Sequence, residues 1–237
     1  MSRIIPEHVI VGDIATNCWI YPLPEPAIGG SRALMNPCVL IDPGDEAELI
    51  ISRLKSLNLF PQFILLSHGH FDHLAALPDI LNAFKEEPFS SYPLPKIGIH
   101  KLDSIYLGKN SLKYHHESIR AAGGSPTYID VLWNNPEGLP DADFLLEEGS
   151  MTGTLRTLHI SGHSRGSIAF YDEKEKILFS GDTLFKNGWG RTDLPGGDEE
   201  QIIQSLKRLL AMDGDILICP GHGETSIINK EREFFKL

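Results

Sequence analysis

Cysteine is scarce in this chain, three residues in 237. Cys18, Cys38 and Cys219 lie far apart inside the apolar runs NCWIY, PCVLI and ILICPG. An odd, scattered set of thiols excludes a disulfide framework and a cysteine-based zinc site, so buried structural thiols are expected. Long apolar runs are also missing: none approaches the roughly 20 residues that cross a bilayer. The start, MSRIIPEHVIVGD, has no charged segment leading into an apolar one, so a cytoplasmic protein with no membrane partner is expected. Positive charge is in deficit, with 21 Lys and Arg against 32 Asp and Glu and a net charge of -11. That excludes a broad nucleic-acid surface, which needs a basic footprint. No GxSxG elbow and no Cys/His pair is present, so a serine or cysteine nucleophile is not expected.

What remains is ordinary globular material, 41% hydrophobic and 22% charged, long enough for one large domain or one domain carrying an insertion. Short apolar runs end in Gly, Pro, Asp or Ser: VIVGD, CVLIDPG, FILLS, TLHISG, KILFSGD and DILICPG among them. They read as buried strands with polar residues at their ends. Amphipathic helices alternate with them. After Asp45, expected as an N-cap, EAELIISRLKSL would place Leu49, Ile50, Leu54 and Leu57 on one face, and EEQIIQSLKRLL would do the same with Ile202, Leu206, Leu209 and Leu210. The alternation predicts an α/β fold. Pro78 is expected to kink or restart the helix after FILLS. Residues 101–143 differ, a polar helical stretch followed by the loop-rich YIDVLWNNPEGLPDADF, and are expected as an insertion beside the main sheet.

The densest chemistry is SHGHFDH at residues 67–73, which puts His68, His70, Asp72 and His73 within six positions directly after an apolar run. A solvated loop would gain nothing from this set, whereas imidazole and carboxylate are metal ligands. Alternation along an extended chain sends His68 and His70 to one side. Asp72 and His73 fall where the chain turns, aimed differently and suited to a second metal. Three further residues end apolar runs: His163 after TLHISG, Asp182 after KILFSG and His222 after ILICPG.

This ordered set, from GDIATNCWIY and VLIDPGD through SHGHFDH, SGHSRGS and SGDTLF to PGHGE, resembles the metallo-β-lactamase superfamily. The resemblance implies an αββα sandwich with the metal site at one edge. It implies that His68, His70 and His163 hold one metal and Asp72, His73 and His222 a second, with Asp182 bridging, and so makes Asp72 and Asp182 the catalytic carboxylates. GDTLFKNGWGRTDLPGGD looks most like the glyoxalase II-like branch, whose enzymes hydrolyse hydroxyacylglutathione thioesters. Only 15 residues follow His222 (237 minus 222), so the likeness is to the short members lacking the C-terminal helical domain that binds glutathione. Arg165 stands in SGHSRGS where relatives commonly carry Pro.

Seven imidazole and carboxylate ligands suit zinc, the expected metal, and are compatible with iron or manganese. Two divalent ions, two carboxylates and a bridging hydroxide would leave about one positive charge, attractive to a small anionic substrate. Metal would lower the pKa of the bridging water from 15.7 toward ~7, so the expected reaction is hydroxide attack on a thioester carbonyl. Asp42 in VLIDPG is expected to orient a ligand from behind. Arg191 in GRTD could bind a substrate carboxylate with its planar fork or pair with Asp193. Tyr106, Lys109, Tyr114, His115 and His116 could fold over the metal site. The alternative reading is a persulfide dioxygenase of the same superfamily, with one iron.

Overall fold

Strands form where the short apolar runs lie, and a period of two divides each run between two cores. In β3 (Asn36–Ile41), Val39 and Ile41 face one way and Cys38 and Leu40 the other, and each pair belongs to a different buried cluster. The computed structural model describes residues 5–24, 35–125, 129 and 139–236. Its first sheet runs in chain order: β1 (Glu7–Val11), β2 (Thr16–Pro22), β3, β4 (Leu59–Leu65), β5 (Lys96–His100) and β6 (Phe144–Leu146). The first three strands are antiparallel, and β3 to β6 are parallel. The second sheet holds β7 (Met151–Thr152), β8 (Leu155–His159), β9 (Ile168–Asp172), β10 (Ile177–Gly181), β11 (Leu217–Pro220) and β12 (Ser226–Ile227).

The sheets pack face to face through Trp19, Tyr21, Val39 and Leu65 of the first and Ile168, Phe170 and Phe179 of the second. On the outer face of the first sheet, Ile20, Leu40 and Ile64 meet α1 (Ala47–Ser56) and α2 (Leu77–Ala83). On the outer face of the second, Leu158, Leu178 and Ile218 meet α4 (Glu199–Leu210) and α5 (Ile228–Phe235). The result is the αββα sandwich that the motif resemblance implied. All three cysteines are free and buried, as expected. None of the described helices is long and apolar enough to cross a membrane.

Two local expectations need correction. Asp45 does not cap α1: Glu46 occupies the cap position in the left-handed region at φ 47°, with no side-chain cap, and Asp45 Oδ1 instead accepts the Glu46 N–H at 2.7 Å. Leu49 is 47% exposed. The helix turns Ala47, Ile50 and Leu54 inward, and Leu49, one residue before Ile50, falls about 100° away from that face. By contrast, α4 buries Ile202, Leu206, Leu209 and Leu210 together, and Asp198 caps it by accepting the Gln201 N–H at 2.9 Å. Pro78 lies in the first turn of α2, where its missing N–H costs nothing, so it starts a helix rather than kinking one.

Residues 101–143 connect β5 to β6, which are parallel neighbours paired Gly98 to Phe144. The described part of this connection holds a 3-10 turn (Ser104–Tyr106) and α3 (Leu112–Ala121). Most of YIDVLWNNPEGLP lies outside the described residues.

Candidate metal centre

Strand ends from both sheets converge at one edge of the sandwich. β4 leads into Ser67–His70, extended at His70 (φ -71°, ψ 145°), and then into a single 3-10 turn over Phe71–His73. His68 and His70 therefore point the same way and Asp72 and His73 leave from the turn, as the spacing predicts. The loop from β8 to β9 brings His163, the end of β10 brings Asp182, and the end of β11 brings His222. Gly221 is needed here because a Cβ on it would sit 2.1 Å from Asp182 Oδ1. Any side chain would push the His222 loop off the carboxylate.

All seven predicted ligands meet in two groups that share an edge. In the first, His68 Nε2 lies 3.0 Å from His70 Nδ1, and His163 Nε2 lies 2.8 Å from His70 Nδ1 and 3.2 Å from His68 Nε2. In the second, Asp72 Oδ2 is 3.2 Å from His73 Nε2 and 3.3 Å from His222 Nε2. Asp182 stands between them. Its Oδ1 is 3.5 Å from His73 Nε2, and its Oδ2 is 3.4 Å from His222 Nε2 and 3.7 Å from His163 Nε2.

A divalent metal fits this arrangement on its own terms. His163 Nδ1–H donates to the Arg191 carbonyl at 2.7 Å and His222 Nδ1–H to the Ile14 carbonyl at 3.0 Å, which aims both Nε2 atoms into the cluster. His68 Nδ1 meets Ser67 Oγ at 3.0 Å, and His73 Nδ1 lies 3.1 Å from Asp42 Oδ2. Imidazole nitrogens about 3 Å apart and converging on one point are the donor set that a divalent cation takes, and His68, His70 and His163 would hold one. Buried His73 Nε2 and Asp182 Oδ1 have no hydrogen-bond partner among the described residues. Within 4.8 Å of one another lie the ligand atoms of His68, His70 and His163, of His68, His73 and Asp182, and of Asp72, His73 and His222.

Charge divides the two groups. Burial, reinforced by the neighbouring imidazoles, pushes His68 well down and His70 to about 3. Burial also pulls on His222, but the Asp182 and Asp72 carboxylates more than offset it and hold that imidazole up at about 10. His73 is raised against burial by Asp72, Asp182 and Asp42. Asp72 and Asp182 stay well below the usual carboxylate range, because the adjoining imidazoles outweigh their desolvation.

Asp42, expected to orient a ligand, lies behind His73. Buried and left-handed at φ 54°, it contacts His73 and accepts the Ser67 N–H at 2.7 Å. The sequence reading missed three supports. Thr16 Oγ1 donates to Asp72 Oδ2 at 3.0 Å. Asn17 Nδ2 and Trp19 Nε1 donate to the Pro220 carbonyl at 3.0 and 2.9 Å and so brace the His222 loop. Asp103 is taken up below. Polar Thr and Asn at the head of the apolar run NCWIY were the available signal. Arg191 borders the site, and its guanidinium forms a two-pronged pair with Asp193, Nε to Oδ1 and Nη2 to Oδ2 both at 2.7 Å. Of the residues expected to fold over the metals, Tyr106 packs beside His70 with ring centroids 6.3 Å apart, and His115 Nε2 meets the Tyr106 carbonyl at 2.9 Å. Lys109 instead lines a separate groove with Leu81 and Phe84. The centre opens into a cavity of about 710 Å³ whose apolar wall includes Phe71, Ile119, Phe185 and Leu194.

Residues 34–222 match the family model of the metallo-beta-lactamase superfamily. The chain belongs to that superfamily. This metallo-beta-lactamase superfamily member is 34% identical over 194 residues to the hydroxyacylglutathione hydrolase GloC of Haemophilus influenzae, covering 81% of this chain and 83% of that protein. It is 32% identical over 196 residues to the probable metallo-hydrolase YqgX of Bacillus subtilis, covering 82% and 84%. Among solved structures it is similar to TTHA1623 in a di-iron-bound form, with a TM-score of 0.74, 31% identity and 98% of each chain covered. The chain is thus a metallo-hydrolase of the metallo-beta-lactamase superfamily. The superfamily binds a dinuclear metal site, and the two groups here have the composition for one.

Proposed function

We propose that this chain hydrolyses a thioester of the hydroxyacylglutathione type at a two-metal centre, with His68, His70 and His163 holding one ion, Asp72, His73 and His222 the other, and Asp182 shared. The observation that carries the metal reading is the convergence of three imidazole nitrogens within 2.8–3.2 Å, next to a carboxylate placed between them and the second group. Two divalent ions, expected to be zinc with iron or manganese compatible, supply a water-derived nucleophile at neutral pH and polarise the carbonyl under attack. The chain's own part is to fix the ligand tautomers through Arg191 O, Ile14 O and Asp42, and to orient Asp72 through Thr16. An apolar cavity wall shields the acyl group from bulk water. Water adds to the acyl carbon, the C–S bond breaks, and the products are a carboxylic acid and a free thiol.

The likeness to the GloC enzyme and the GRTDLPGGD segment support the thioester substrate. Arg191 at the cavity rim is offered as a contact for an anionic carrier. The test is turnover of S-lactoylglutathione by protein of known metal content, beside an Asp182→Asn control. Turnover that depends on Asp182 supports a hydrolase. A fully metallated protein with no thioester turnover sinks the substrate assignment, and oxygen uptake with a persulfide at about one iron per chain would replace it with the dioxygenase reading.

A further inference from the structure

Asp103 is a buried carboxylate that none of the proposed chemistry uses. It sits just past β5, between His100 and the Ser104–Tyr106 turn, and is 1% exposed. Every bond it makes goes to a loop that carries a ligand of the first group. Oδ2 accepts the Gly69 N–H at 2.9 Å, and Gly69 lies between His68 and His70. The same Oδ2 accepts the Ser164 Oγ–H at 2.6 Å, and Ser164 follows His163. Oδ1 accepts the Gly166 N–H at 2.7 Å. A Cβ on Gly166 would meet Asp103 Cγ at 2.6 Å, so the backbone has closed onto the carboxylate as far as glycine allows. Ser164 is held in turn, with its N–H and its hydroxyl at 2.9 and 2.8 Å from Ser167 Oγ.

We infer that Asp103 is a positioning residue for the first metal, a clasp that holds the His68–His70 loop of one sheet against the His163 loop of the other. The second group has its own buried carboxylate in Asp42, so each metal is served by a separate aspartate. The division is chemical as well as spatial. The first group has three imidazoles and no carboxylate of its own, only the shared Asp182, 3.7 Å from His163 Nε2. A carboxylate outside the cluster draws its two loops together through backbone N–H groups, where its charge makes the bonds strong. Asparagine at 103 would turn one acceptor into a donor facing an N–H or a hydroxyl, and part of the clasp would open.

The inference rests on the two-metal reading, and its test is metal uptake rather than turnover. Zinc is titrated into metal-free wild type, Asp103→Asn and Asp42→Asn under competition with a chelator, and X-ray absorption counts imidazoles around each bound ion. Wild type should take about two ions. Asp103→Asn should lose affinity for one ion by roughly 10- to 100-fold, and the ion it retains should see two imidazoles, His73 and His222. Asp42→Asn should keep the ion that sees three. Ser164→Ala, which leaves both backbone bonds in place, should weaken the same ion several-fold without lowering Tm, and it serves if Asp103→Asn does not fold. A lowered Tm with both ions bound as in wild type would reduce Asp103 to a structural residue and overturn the inference. Wild type that takes up no metal would overturn the two-metal reading, and this inference with it.

Discussion

The two halves of the cluster are built from nearly the same residue types and behave as opposites. His68 and His70 shed protons, since burial and the repulsion of neighbouring imidazoles hold them far below an ordinary imidazole. His73 and His222 keep theirs, since Asp72 and Asp182 lie within 3.5 Å of their nitrogens. One half offers lone pairs awaiting a cation, and the other offers negative charge that protons satisfy in the cation's absence. Position relative to carboxylates, and not residue type, decides which role a histidine takes. The fold arranges this by drawing both carboxylates toward the His73–His222 side.

The largest break in the comparison comes from Asp182→Asn, which removes the one carboxylate both halves share. Metal content should fall from about two ions per chain to about one or fewer. Replacing groups that only support a ligand typically costs 10- to 100-fold, so turnover should fall by about 100-fold or more. Undiminished turnover would exclude a bridged centre.

Next in size is the pH dependence of metal-free stability. His70, lowered to about 3, stabilises the folded state fully above its ordinary pKa of 6.5, and this is lost as pH falls from 6.5 toward 3. His222, raised to about 10, stabilises fully below 6.5, and this is lost as pH rises toward 10. Thermal melts of chelator-treated protein should therefore peak near pH 6.5 and fall on both sides, and His222→Gln should make the alkaline limb shallower, with the share due to His73 remaining. A limb that His222→Gln leaves unchanged would remove the assigned asymmetry.

Thr16→Val sharpens the comparison from the carboxylate side. Loss of its hydroxyl from Asp72 should cost about 1 kcal/mol of stability and weaken metal in the second group by roughly 10-fold, with the first group untouched; competitive metal titration reads both. The smallest effect is expected from Arg191→Ala. Its pair with Asp193 is about half exposed at 49% and 64%, worth no more than ~1 kcal/mol, so Tm should move by at most a few degrees. The KM for an anionic thioester should rise several-fold with kcat unchanged. Unchanged KM would leave Arg191 as a loop brace.

That seven His and Asp side chains at strand ends would come together was legible in the sequence, because the apolar runs already mark those ends. Thr16 and Asp103 were not. Thr16 meets Asp72 across 56 residues and Asp103 meets Ser164 across 61, and a single polar residue beside an apolar run carries no pattern that names a distant partner. The misplaced Leu49 of α1 has a local cause: at 100° per residue it lies about 100° round the helix from Ile50, off the face that Ala47, Ile50 and Leu54 bury. That residues 101–143 join two parallel neighbours of one sheet was not legible, because periodicity reports no strand order.

The first sheet leads into His68, His70, Asp72 and His73, and the second into His163, Asp182 and His222. Neither sheet carries a complete set for either group. Ions held there would stitch the seam between two layers that meet elsewhere through greasy side chains and a few polar bonds such as those of Trp19 and Asp103, so the reacting edge would double as a hem, and a chain stripped of its metals would begin to come apart where it works.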